Sequence, residues 1–191
     1  TSSSSGEISD NDVFLIASAN KTKVYEQEAI LLTYKVYTMV NLTQLEGKLP
    51  TLDGFQIQEI PLPRNKEFST EQYNGRTYHT VVWSQYLLFP QKQGDIVIPS
   101  ITYEGVVVQQ NRNIDPIEAF FNGTGGMIET KKRITTPQLT IHVSPLPDKP
   151  ADFSGAVGQF SITSSVNTKK LKANDALTLK LQLKGTGNMK L

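Results

Sequence analysis

The chain has no cysteine, two histidines and one tryptophan among 191 residues. The missing cysteine excludes disulfides, zinc–thiolate centres and a cysteine nucleophile. A surplus of one charge is missing as well. Lys+Arg number 19 against 18 Asp+Glu, a formal net charge of +1, whereas nucleic-acid binding calls for a strong basic excess. The basic clusters Lys131-Lys132-Arg133 and Lys169-Lys170 with Lys172 are short and read as solvated surface. No apolar run reaches the ~18–20 residues of a membrane span. No charged-then-apolar signal opens the chain, so an export signal or a membrane anchor is expected only outside this segment.

Chemistry-bearing constellations are scarce too. His79 and His142 have no acid or second histidine at a ligand spacing. Glu26, Glu28, Asp53, Glu59 and Glu67 are scattered over turns and strand edges. The glycine patterns "SGAVGQF" (154–160) and "GTGN" (185–188) do not feed a helix, as a phosphate loop must. No catalytic residue, metal ligand or cofactor is expected, and the chain is not expected to be an enzyme.

What the sequence does contain is strand pattern. In "ILLTYKVY", Ile30, Leu32, Tyr34 and Val36 share one face and Leu31, Thr33, Lys35 and Tyr37 the other. Asn74-Gly75 lies between two strand-like runs and supplies the two positive-φ positions of a type I′ hairpin turn. "DIVIP", "ITYEGVVVQ" and "QLTIHVSP" add further strands. With no sustained helical period, about eight strands with short connections predict an all-β fold, an antiparallel immunoglobulin-like β-sandwich. The expected organisation is a flexible linker over 1–11, a sandwich over 12–146, a Pro-rich connector over 147–154, and the first strands of a second, truncated sandwich over 155–191.

The second domain is inferred from an internal repeat. Phe14, Ile16 and Ser18 match Phe160, Ile162 and Ser164. After one inserted residue, Asn20 matches Asn167, Lys23 matches Lys170, and Glu28-Ala29-Ile30 match Asp175-Ala176-Leu177. Leu32, Tyr34 and Val36 then face Leu179, Leu181 and Leu183, a period of roughly 146 residues. Two strands cannot bury an apolar face alone, so these leucines need a cover.

One long connection, 109–137, interrupts the rhythm. Within it "DPIEAFF" predicts a short helix, with Asp115 as cap, Pro116 in the first helical position and Glu118 as the capping-box acid. Ile117, Phe120 and Phe121 would be apolar on an exposed element, which makes them the candidate partner-binding residues. The alternative is a carbohydrate-binding or adhesin-like module whose glycan platform is Trp83 and Tyr86. Period-2 geometry places Trp83 and Phe89 on one face of their strand and Tyr86 on the other.

Several stretches carry a family resemblance. They are Tyr86-x-Leu88-x-Pro90, Gly94, Ile98-Pro99, the Phe153-Ser154-Gly155-Ala156-Val157-Gly158 run, Gly185-Thr186-Gly187-Asn188, and the "NGR" turn ahead of the tryptophan strand. In these the chain resembles the BatD (oxygen-tolerance, Bacteroides aerotolerance) family from Val13 onward. The resemblance implies tandem immunoglobulin-like domains on the periplasmic face of the inner membrane of a Gram-negative bacterium, anchored outside this segment. It also implies a non-enzymatic scaffold role linked to aerotolerance and stress survival. The implied partners are envelope proteins, notably von Willebrand A-domain proteins encoded alongside a MoxR-type ATPase.

Overall fold

In the computed structural model, which describes residues 7–110, 115–121, 123, 126–153 and 155–188, the alternating run around Tyr34 becomes the middle of the largest sheet. Strand β1 (Val13–Ala19) leads through the short β2 (Lys23–Tyr25) to β3 (Ile30–Thr38). Ile30, Leu32, Tyr34 and Val36 of β3 are completely buried, as period-2 alternation requires of a strand with one face on a core. β3 pairs antiparallel with β1 on one side and with β7 (Arg76–Pro90) on the other. The far edge of β7 is shared by β5 (Phe55–Ile60) and β6 (Ser69–Tyr73). The turn joining β6 to β7 has positive φ at both Asn74 (48°) and Gly75 (75°), the type I′ geometry expected of Asn-Gly.

The opposing layer is made of two three-stranded sheets. In one, β9 (Thr102–Gln110) lies between β4 (Asn41–Glu46) and β10 (Met127–Thr135). In the other, β11 (Leu139–Ser144) lies between β8 (Gly94–Ile98) and β2, and pairs with β2 in parallel. Tyr103 and Val107 of β9, Ile96 and Ile98 of β8, and Ile141 and Val143 of β11 meet the inward residues of β1, β3 and β7 in one core. Each such side chain contributes roughly 1.5–3 kcal/mol on burial. The architecture is the immunoglobulin-like antiparallel sandwich.

Three expectations need correction. Residues 7–11 are not linker: Ile8 is buried in the core, and Lys132 donates both to the Ile8 carbonyl (3.0 Å) and to Asp10 (2.5 Å). A single isoleucine in a polar run carries no period to reveal it. Much of 109–137 is not loop either, because β10 pairs with β9 along its whole length. Its sequence "MIETKKRIT" hides the strand, since lysines and an arginine blunt an exposed sheet edge. Lastly, the alternation along β7 breaks. Tyr34 pairs with Ser84 but Lys35 with Val82, leaving Trp83 as the extra residue of a β-bulge. Beyond the bulge the faces exchange, so Tyr86 points into the core beside Tyr34 and Tyr103, and Trp83 and Phe89 do not share a face.

The repeat is visible in three dimensions. β12 (Val157–Val166) and β13 (Leu179–Asn188) form an antiparallel pair. Ala19 pairs with Leu32, and Val166 with Leu179. The offset is therefore a constant 147 positions with no insertion, and Phe160 and Ile162 occupy the places of the core residues Val13 and Leu15. Matching like residues sets them opposite Phe14 and Ile16, whereas strand register sets them one position earlier, on the inward face.

The connecting turns correspond bond for bond. Asn20 Oδ1 accepts from the Leu31 N–H (2.7 Å), and Asn167 Oδ1 from the Thr178 N–H (3.0 Å). Glu28 accepts from the Tyr25 N–H (2.9 Å), and Asp175 from the Lys172 N–H (2.8 Å). Gln27 and Asn174 both take positive φ, 63° and 71°. In the second copy the inward face is bare: Leu177, Leu179, Leu181 and Leu183 are 51–62% exposed.

The glycines near Asn188 also acquire a reason. A Cβ on Gly185 would lie 2.2 Å from the Phe160 ring, and one on Gly187 would lie 2.4 Å from the Val157 carbonyl. The ring of Phe160 therefore covers a cross-strand glycine, and the strands approach where no side chain fits.

Candidate partner-contact site

The connection between β9 and β10 carries helix α1 (Pro116–Phe121). Asp115 caps it as expected, its Oδ1 accepting from the Ile117 N–H (2.8 Å). The side chain of Glu118 lies outside the described residues, so the capping box is not described. Ile117, Phe120 and Phe121 are 69%, 82% and 80% exposed, and the two phenyl rings meet edge to face with centroids 5.9 Å apart. Met127 and Ile128 continue the apolar exposure onto β10. Scattered exposed hydrophobics are ordinary, whereas these fall close together in sequence on one connection, with two of the rings in contact.

The alternative platform does not assemble. Tyr86 stands on the core side, its ring centroid 6.3 Å from that of Tyr34. Trp83 is half-buried at the bulge, and the Lys66 ammonium lies 5.0 Å from its ring centroid. No flat, open aromatic pair results.

Lys66 has a structural task that sequence reasoning missed. β5 pairs with β7 as far as Ile60–Gln85, and β6 starts at Ser69–Thr80. Residues 81–84 of β7 therefore lack a partner on that edge. The Lys66 ammonium donates to the carbonyls of Trp83 (2.8 Å) and Val82 (3.3 Å), standing in for the absent strand. Burial lowers its pKa from the ordinary 10.5. The cleft around this gap holds about 490 Å³ and is walled by Leu62, Pro63, Val81 and the Lys35–Glu71 ion pair. The Glu71 carboxyl titrates below its ordinary value chiefly because Lys35 donates to it.

A second feature missed from sequence is an aromatic cluster on the outer face of the large sheet. Phe14 and Tyr37 stack with centroids 5.1 Å apart, and Tyr73 and Tyr78 pack around them. Outward positions on β1 and β3, and the two flanks of the Asn74-Gly75 turn, could have signalled it. Tyr37 and Tyr78 are buried by this packing, and the Tyr78 hydroxyl donates to the Asn11 carbonyl (3.0 Å). The cluster ties the hairpin down.

Ionisable groups elsewhere sit in structural settings. His142 Nδ1 lies 2.5 Å from Asp95 Oδ1 across β11 and β8, in the open. Burial raises the Tyr34 and Tyr103 phenols, the latter to about 12. Among the described residues no group of three or more His, Asp or Glu side chains could hold a metal ion, and no helix is long and apolar enough to cross a membrane.

Fold and surface together define a β-sandwich module with a projecting apolar knob. The family model described as "BatD DUF11 like domain" matches residues 17–143. The chain therefore belongs to the BatD family, a membership that suggests an aerotolerance-associated envelope protein. No curated protein and no solved structure matches it.

Proposed function

We propose that this chain is a non-enzymatic protein-interaction module of an aerotolerance-linked envelope complex, working on the periplasmic face of the inner membrane. The observation that carries this reading is the exposure of Ile117, Phe120 and Phe121 on a short capped helix projecting between two paired strands. Apolar rings held out in water cost solubility unless a partner covers them. Aromatic anchors that enter a partner's pocket supply much of the binding energy of protein interfaces. The partner class is the von Willebrand A-domain proteins of the same system, a choice supported by the family resemblance.

The test is affinity capture from envelope extract on the wild-type chain and on Phe120→Ser/Phe121→Ser, with folding of both checked by urea titration. Recovery of a von Willebrand A-domain protein by the wild type alone is the expected result. Equal recovery by both proteins would remove the knob from the interface, and recovery by neither would remove the proposed partner.

A further inference from the structure

The repeat also says how one sandwich follows another. The pole of the second copy, Val157–Gln159 with Thr186 and Gly187, faces the turn end of the first domain across a cavity of about 600 Å³. On the first domain, that cavity is lined by Asn20, Lys21, Tyr25 and Glu28, and by Leu31, Leu87 and Phe89. Register places the corresponding pole of the first domain at Asp10–Asp12 with Met39 and Val40. The Met39 N–H bond to the Asp12 carbonyl (2.8 Å) closes that pole. The corresponding turn end of the second copy is Asn167–Asp175, built on the same hydrogen bonds as Asn20–Glu28.

Charge distinguishes these surfaces. Within the chain, the turn end "NKTKVYEQE" is neutral and meets an uncharged pole. At the other two surfaces the charges are opposite. The turn end "NTKKLKAND" carries Lys169, Lys170 and Lys172 against one Asp175, a surplus of two positive charges, whereas the pole "DND" carries Asp10 and Asp12 against Lys132, which pairs with Asp10, a surplus of one negative charge. Each also exposes an apolar side chain, Leu171 on the turn end and Met39 on the pole, both at 47%. Beside Met39 a hollow of about 320 Å³ is lined by Val40, Leu42 and Phe68.

We propose that copies of this chain associate head to tail, the Asn167–Asp175 turn end of one docking on the Asp10–Asp12/Met39 pole of the next. The contact repeats the relation between the two copies inside the chain. It is heterologous, so it extends as an open row rather than closing as a two-fold dimer. Its attraction comes from exposed charges and therefore weakens with salt.

Sedimentation velocity on the whole chain tests this with two charge-reversed variants, Lys170→Glu/Lys172→Glu and Asp10→Lys/Asn11→Lys. All four positions are exposed, and Asp12 keeps its bond to the Ser9 N–H; Asp10→Lys also removes the Lys132–Asp10 ion pair, and recovery in the mixture of the two variants separates that loss from the docking contact. The wild type should show a mass that rises with concentration at low ionic strength and falls at 0.5 M salt, where the Debye length is about threefold shorter than at 0.05 M. Each variant alone should stay monomeric, and an equimolar mixture should regain the open row, with the two variants alternating along it. A wild type that is monomeric throughout overturns the proposal. So does association that ignores both charge reversals but is lost on Leu179→Lys/Leu181→Lys, which would place the contact on the bare face of β12 and β13.

Discussion

Asn20 and Asn167 perform the same task at equivalent places: each side chain accepts the N–H, and each backbone N–H donates to the carbonyl, of the residue eleven positions on. The two differ in what surrounds them. The strand after Asn20 is sealed in a core, and the strand after Asn167 presents its leucines to water. Asn20→Ala should therefore lower the unfolding free energy of the sandwich by about 0.5–1.5 kcal/mol, the net contribution of one hydrogen bond whose donor can turn to water. Asn167→Ala should leave that transition unmoved and instead speed amide exchange at Thr178. Urea unfolding and hydrogen exchange separate the two effects.

Lys66 and Trp83 supply a second prediction, since Trp83 is the sole tryptophan and reports on its own surroundings. Lys66→Met uncovers two carbonyls and should destabilise the domain by about 1–2 kcal/mol. Removal of the Lys66 proton should alter Trp83 emission below the ordinary lysine pKa of 10.5. A fluorescence titration of wild type against Lys66→Met isolates that step from tyrosine ionisation. Identical curves would mean the ammonium does not guard the bulge.

Glu28 makes stability depend on acid. Burial pushes its carboxyl up, but hydrogen bonds from Lys21 (2.6 Å) and the Tyr25 N–H (2.9 Å) outweigh this and leave the pKa below 4.5. A carboxyl with a folded pKa below its unfolded one contributes stability that is fully present above the unfolded value and disappears as pH falls through the folded value. Below about pH 4.5 the wild type should therefore lose stability more steeply than Glu28→Gln. Urea midpoints from pH 6 to pH 3 measure the difference.

Gly187→Ala should unpair the β12–β13 hairpin. The added Cβ would stand 2.4 Å from the Val157 carbonyl and 2.7 Å from Gly158 Cα, both backbone, so no side chain can move aside. Exchange protection across Val157–Gln159 should collapse, with the core of the first domain untouched. Preserved protection would contradict the close-approach account of this glycine.

Much of this architecture was legible in residue order. Alternation around Tyr34 fixed which face is core, Asn74-Gly75 placed a hairpin, and Asp115-Pro116 placed the helix that lifts Ile117, Phe120 and Phe121 clear. Other parts were not legible, for physical reasons. A bulge at Trp83 reverses every later side chain without changing composition, so simple alternation puts Tyr86 on the wrong face. Edge strand β10 is protected by charge and shows no apolar period. Lys66 acts through its amine on backbone carbonyls, and backbone leaves no mark in a pattern of side chains. The repeat was visible in its turn residues, but its register needed strand pairing.

Photo-crosslinking in cells tests the interaction-module account most directly. A benzophenone amino acid at Phe120, compared with one at exposed Lys48, should capture a von Willebrand A-domain protein from position 120 only. Equal crosslinking from both positions, or none from position 120, would contradict it.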